Sequence, residues 1–179
     1  MKSKGYVECA LGYWEIQEED GKITALDFVG DLKGNLRGDL KGDLEVELIA
    51  DLDEHEKDEA KKSSSIMHEA KKQLEEYFNG ERKDFSLPIS LEGTPFQKSV
   101  WQALQEIPYG TTKSYQEVAT IVGNRNSVRA VGGANHHNPI SIIVPCHRVI
   151  GKNGTLVGYG GGLDVKAFLL KLEETFLYT

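Results

Sequence analysis

Aromatic and β-branched residues interleaved with polar ones fill positions 6–17 and 22–29, and Asp20-Gly21 stands between the two runs. Alternation of this kind predicts an antiparallel meander, with Asp-Gly as a favoured hairpin turn. Ile66, Met67, Ala70, Leu74, Tyr77 and Phe78 then recur at helical spacing until Asn79-Gly80 stops them. Positions 87–93 read as an extended connector. A domain boundary near Gly93 divides the chain into residues 1–93 and 94–179.

Beyond that boundary the pattern is mostly helical. Thr94-Pro95 opens a helix, with proline in the first turn where a missing N–H costs nothing. Phe96, Val100, Trp101 and Leu104 form its apolar stripe, and Pro108-Tyr109-Gly110 ends it. Ser114-Tyr115-Gln116-Glu117 matches a capping box, followed by Val118, Ala119 and Val122 on one face and Gly123 as terminator. A second short helix starts near Ser127 with Val128, Val131 and Ala134 inward. Two short helices joined by a tight glycine-bearing turn make a helix-turn-helix candidate. Arg129 falls off the apolar stripe, and Gly132-Gly133 permits close approach to that backbone.

The run Ile140-Ser141-Ile142-Ile143-Val144 predicts a buried strand that delivers Pro145-Cys146-His147-Arg148-Val149. Gly151-Lys152-Asn153-Gly154 reads as a hairpin turn and Gly158-Tyr159-Gly160-Gly161-Gly162 as a loop. Asp164 is the expected cap of a last helix whose Val165, Phe168, Leu169 and Leu172 face inward. Glu173 and Glu174 lie near its C-terminal end, where the helix dipole disfavours a carboxylate unless something compensates.

At 179 residues, 39% hydrophobic and 27% charged, the chain suits one generous domain or two small ones. No apolar run approaches the ~20 residues of a membrane span, and Met1-Lys2-Ser3-Lys4-Gly5 leads into polar sequence, so neither membrane insertion nor secretion is expected. Two cysteines, Cys9 and Cys146, cannot build a disulfide framework. A cytoplasmic location follows as the expectation. The net charge of −7 conceals an asymmetry: 13 basic against 23 acidic residues up to Gly93, then 8 against 5. An anionic partner is therefore compatible with the second half alone. A glycine-leucine run at 30–43 reads as a surface loop or irregular strand, and the charged stretch at 51–62 as a solvated face.

A lone cysteine is most often a small buried hydrophobe. Cys146 differs because His147 and Arg148 follow it, and both types of neighbour lower a thiol pKa from about 8.5. Adjacent residues of a strand point to opposite faces, so the side chains of Cys146 and His147 meet only if the chain turns immediately after Cys146. An imidazole base also needs an orienting acceptor. Glu173 is a candidate for that role, and Asn138 for placing the thiol. Cys9 lacks such company and reads as a packing or edge residue. His136-His137 are neighbours that do not converge on one ion, so no metal and no cofactor are expected.

Taken together, these segments resemble the O6-alkylguanine-DNA alkyltransferases, also called methylated-DNA–protein-cysteine methyltransferases. The resemblance rests on Thr94-Pro95-Phe96-Gln97 with Trp101, on Ile107-Pro108-Tyr109-Gly110, on Ser114-Tyr115 and on Arg129-Ala130-Val131-Gly132-Gly133-Ala134. It continues through Asn138-Pro139, Pro145-Cys146-His147-Arg148-Val149 and Gly158-Tyr159 with Gly161-Gly162-Leu163, and so spans residues 94–173. Upstream it is looser. Asn135-His136-His137 and Gly160 depart from the usual pattern, and the glycine-leucine run has no counterpart.

The resemblance implies an α+β fold: an N-terminal ribonuclease-H-like antiparallel sheet domain and a C-terminal helical domain with a winged helix-turn-helix. It implies a monomer that binds double-stranded DNA containing O6-alkylguanine, flips the lesion out and transfers the alkyl group irreversibly to Cys146. His147 would take the thiol proton through a water, oriented by Glu173, with Asn138 bracing the loop. Tyr115, Tyr159, Gly160 and the carbonyls of Cys146 and Val149 would bind the base. Arg129 would fill the gap in the duplex, while Tyr115, Gln116, Asn124 and Lys152 align with DNA-contacting positions. Two other readings compete: a non-catalytic module that recognises alkylated bases, and a Cys-His thiol hydrolase using the helix pair as scaffold.

Overall fold

The computed structural model describes residues 2–31 and 65–178. Strands β1 (Lys2–Cys9), β2 (Gly12–Glu19) and β3 (Lys22–Asp31) form an antiparallel meander in that order. Asp20 and Gly21 take φ values of 50° and 78°, as a two-residue hairpin turn requires. The continuous strand pattern at 6–17 conceals a second reversal at Ala10-Leu11. Gly12 (φ 152°) opens β2 there without a strong turn dipeptide to announce it.

Helix α1 (Ser65–Phe78) lays Met67, Ala70, Leu74 and Tyr77 on the sheet. Trp14 is fully buried between β3 and α1, 5.5 Å from the Phe28 ring and 6.0 Å from the Phe78 ring. The glycine-leucine run reaches β3 through Gly30 and Asp31; the remainder of it and the charged stretch at 51–62 lie outside the described residues.

The far edge of β3 carries the relationship that matters for the site. Ile23 N–H donates to Pro88 O (2.8 Å) and Ser90 N–H to Ile23 O (2.9 Å). Three residues on, Leu26 N–H donates to Pro139 O and Ser141 N–H to Leu26 O, each at 2.9 Å. The connector and the segment before Cys146 thus satisfy backbone groups that an edge strand would leave exposed. Buried side chains from both halves form one contiguous hydrophobic cluster.

Helix α2 (Pro95–Gln105) begins at a Thr94–Gln97 capping box, and α3 (Tyr115–Ile121) at the Ser114–Glu117 box. Helix α4 (Val128–His136) follows a turn in which Gly123 adopts φ 82°. Trp101 Nε1 donates to Ala134 O at 2.8 Å and fixes α4 against α2.

Two expectations fail locally. Residues 140–144 fold into a tight turn, with Val144 N–H donating to Ile140 O and Ile142 at φ 71°. A β-branched residue in that region is strained; its near-complete burial opposes the strain. Helix α5 (Leu163–Thr175) starts after Gly162, and Asp164 lies in its first turn without making a side-chain cap. No helix of the described residues is long and apolar enough to cross a membrane.

Candidate active site

Cys146, His147 and Arg148 occupy a single 3₁₀ turn, which leads into the short strand β5 (Val149–Ile150) paired with β4 (Lys113–Ser114). The chain therefore turns immediately after Cys146. The same tight geometry sends each side chain to a different neighbour. His147 is fully buried, and its Nε2 lies 2.8 Å from Glu173 Oε1 on α5. Its Nδ1 is buried with no hydrogen-bond partner among the described residues.

Glu173 is the hub. It accepts from Tyr77 Oη (2.9 Å, α1), from the Gly110 N–H (2.9 Å) and from the Arg148 guanidinium. Burial works against its charge, but the His147 and Arg148 interactions hold its pKa down to about 2. These donors supply the compensation that a carboxylate near a helix C-terminus needs. Burial also lowers the His147 pKa, despite the opposing pull of Glu173, so the imidazole is neutral near pH 7.

The thiol departs from the expected ionisation. Cys146 is 3% exposed. Burial pushes its pKa up to about 11, against partial relief from Asn138, Lys166 and Ser141. The physical reason lies in where the neighbouring cations go. Arg148 points its guanidinium at Glu173 and Ile107 O, while His147 carries no charge. Resting Cys146 is a neutral thiol.

Asn138 lies at the turn that precedes Cys146. Its Nδ2 donates to Val144 O (2.8 Å) and its Oδ1 accepts from Ile140 N–H (3.1 Å), closing the turn before Cys146. Tyr115, at the start of α3, donates to Val157 O (3.0 Å), which ties that helix to the glycine loop. Burial raises the Tyr115 pKa to about 12, with a further contribution from Cys146. Tyr159 is buried and Gly160 exposed; a Cβ built on Gly160 would stand 3.7 Å from His136 O. The two carbonyls expected to read a base already have protein donors: Asn135 Nδ2 to Cys146 O at 3.3 Å and Lys166 Nζ to Val149 O at 2.5 Å.

On the helix-turn-helix, Arg129 and Asn124 are exposed, and nothing crowds a Cβ placed at Gly133; Lys152 is exposed in the turn after β5. Gln116 is half-buried and donates to Arg125 O (2.7 Å), so it also closes the turn between α3 and α4. His136 and His137 stack edge to face at 5.3 Å, with His137 Nδ1 2.7 Å from Gly133 O.

Lys166 is the buried cation near the thiol that the linear reading missed. Its side chain is fully buried, and Nζ also reaches Val157 O (2.8 Å) and Gly158 O (3.4 Å). Burial lowers its pKa to about 8, while the Cys146 charge acts the other way. Lys166 and Glu173 are seven apart on α5 beside the stripe of Val165, Leu169 and Leu172. Two charges at that spacing against an apolar face were the available signal.

Comparison with known proteins agrees with this geometry. A family model described as "6-O-methylguanine DNA methyltransferase, DNA binding domain" matches residues 95–175, and one described as "6-O-methylguanine DNA methyltransferase, ribonuclease-like domain" matches residues 3–91. The methylated-DNA–protein-cysteine methyltransferase of Methanosarcina acetivorans is 60% identical over 111 residues, 62% of this chain and 71% of that protein. The constitutive enzyme of that name from Bacillus subtilis is 58% identical over 114 residues, 63% of this chain and 69% of its own. Among solved structures, Mycobacterium tuberculosis O6-methylguanine methyltransferase superposes with a TM-score of 0.74 at 36% identity, covering 98% of this chain and 94% of its own. The M. tuberculosis OGT in complex with DNA gives 0.73 at 35% identity, covering 96% and 92%. With both halves matched and the Cys-His-Glu arrangement in place, the chain belongs to the 6-O-methylguanine DNA methyltransferase family.

Proposed function

We propose that the protein repairs duplex DNA by transferring the alkyl group of O6-alkylguanine to Cys146 once and irreversibly. The observation that carries this reading is His147: a neutral, buried imidazole anchored through Nε2 to Glu173, with Nδ1 left for the thiol proton. A thiol of pKa about 11 is ionised to roughly one part in ten thousand at pH 7. Proton removal must therefore accompany the reaction, and an oriented base lowers that barrier.

His147 takes the Cys146 proton by way of a water, and ionised Glu173 stabilises the resulting imidazolium. The sulfur attacks the alkyl carbon. The S–C bond forms as the C–O6 bond breaks; the electron pair stays on guanine, which takes a proton and is restored. The product thioether offers water no ready leaving group, so each molecule acts once. A base inside a duplex is out of reach, hence extrusion comes first, at a cost of a few kcal/mol. Arg129, exposed on α4, fills the gap. Tyr115, Asn124, Gln116 and Lys152 meet the backbone, while Tyr159, Gly160 and Val149 hold the base. In this reading residues 94–179 carry the chemistry, and residues 1–93 support Glu173 through Tyr77.

The test incubates the protein with an O6-methylguanine duplex. One methyl group should appear on Cys146 by intact-mass and peptide analysis, after which reaction stops, and Cys146→Ser should bind without transfer. Repeated turnover would indicate a hydrolase, and tight binding without modification a recognition module; either result overturns the proposal.

A further inference from the structure

Asp27 is the charged side chain that β3 brings toward the thiol. The two hydrogen bonds of Leu26 to Pro139 and Ser141 lock β3 beside the turn that precedes Cys146. Asp27, next in the strand, interacts with the Ser141 side chain, and Ser141 in turn with the Cys146 thiol. The negative charge of Asp27 is felt at the sulfur and disfavours its ionisation.

We propose that Asp27 is a specificity-determining residue, which makes the site favour transfer of neutral alkyl groups over those bearing a negative charge. This rests on the alkyl-transfer reading, because the transferred group must lie against the Cys146 sulfur. A carboxylate on that group enters the same field that Asp27 projects onto the sulfur.

The groups around Asp27 define when it is charged. Glu15 stands opposite it on β2, held by Lys4, Tyr6 and Gln17. Asp27 is exposed, yet protein crowds its carboxyl enough that desolvation, reinforced by Glu15, raises its pKa to about 6. Ser141 acts in the opposite direction. From α5, Lys166 acts on the sulfur with the opposite sign, and its three carbonyl partners fix its position. Asp27 is therefore an anion at pH 7.5 and neutral well below pH 6. Repulsion between two unit charges across a partly solvated site changes a rate by about five-fold.

The experiment measures second-order transfer from duplexes carrying O6-methylguanine or O6-carboxymethylguanine, using the full chain and Asp27→Asn between pH 5.5 and 8. The carboxymethyl group stays ionised throughout, and effects on thiol ionisation cancel in the ratio of the two rates. At pH 7.5, Asp27→Asn should raise the carboxymethyl-to-methyl ratio about five-fold. The wild-type ratio should climb toward the variant's as pH falls through 6, a test that needs no folded variant. An equal ratio in both proteins at pH 7.5, or a wild-type ratio flat with pH, overturns the assignment of Asp27. Absence of methyl transfer to Cys146 would instead overturn the alkyl-transfer reading and this proposal with it.

Discussion

Arg148 holds both carboxylate oxygens of Glu173: Nε lies 3.1 Å from Oε1 and 3.0 Å from Oε2, and Nη2 lies 2.9 Å from Oε1. The pair is buried, and Arg148 Nη1 also donates to Ile107 O at 2.6 Å. Removing one member strands the other charge away from water, at a cost of about 3–5 kcal/mol. Arg148→Met is therefore expected to lower the unfolding free energy measured in urea by that much. The double variant Arg148→Met/Glu173→Leu should recover part of the loss, although it forfeits the support of His147. A double variant no more stable than Arg148→Met would show that the cost lies in packing rather than in stranded charge.

Acid should unfold the protein in two stages. His147 has a folded pKa below its ordinary value, so its contribution to stability is present above about 6.5 and is lost as pH falls below that. Glu173 is likewise depressed, to about 2 from an ordinary 4.5. Its contribution is intact above 4.5 and declines toward pH 2, a loss on the order of 3 kcal/mol. Unfolding free energies measured by urea from pH 8 to pH 3 should fall below 6.5 and again below 4.5. Glu173→Gln should shrink the lower step, leaving the share of the other carboxylates held below their ordinary values, Glu15 and Glu117 among them.

The local grammar of the second half was legible because short-range chemistry decides it. The Thr94–Gln97 and Ser114–Glu117 boxes, and the glycine that ends α3, are written within a few residues. The His147–Glu173 pair was open to the sequence only as one candidate pairing, since 26 residues separate the imidazole from its acceptor, and the resemblance singled it out. Four features escaped. The 140–144 run has strand propensity, yet burial and Asn138 bend it into a turn. Arg148 seemed a cation for the thiol by adjacency, whereas Glu173 competes for it far more strongly. Lys166 and Asp27 act on the sulfur only once α5 and β3 converge on it, and the seven-residue spacing of Lys166 and Glu173 was the one local hint.

Lys166 joins α5 to the glycine loop and to β5 through its contacts with Val149, Val157 and Gly158. Its ammonium also lies 5.8 Å from the Tyr115 ring and favours ionisation of Cys146. Lys166→Met keeps the stem and deletes the head. Three carbonyls then lose their donor, and the thiol loses its supporting cation. Transfer to Cys146 should slow by at least about tenfold, with about 1–3 kcal/mol lost in stability. Alkylation of the folded variant's Cys146 by iodoacetamide, followed against pH, should reveal a thiol pKa higher still. An unchanged pH profile would restrict Lys166 to holding the loop.

Arg129 offers the cleanest separation of extrusion from chemistry. It is exposed on α4, and no hydrogen bond or ion pair to another described residue defines its position. Truncating it should therefore cost the fold less than about 0.5 kcal/mol, as surface changes usually do. Its proposed work is done only in a duplex, where a side chain in the vacated stack offsets part of the few kcal/mol of unstacking. Arg129→Ala should slow transfer from duplex O6-methylguanine by about tenfold or more, a loss of about 1.4 kcal/mol in the barrier. Reaction with free O6-benzylguanine, which has no stack to leave, should change less than about twofold. Rate constants on the two substrates, measured with the same preparation, decide the matter: equal slowing would remove Arg129 from the extrusion step and place its effect on the thiol.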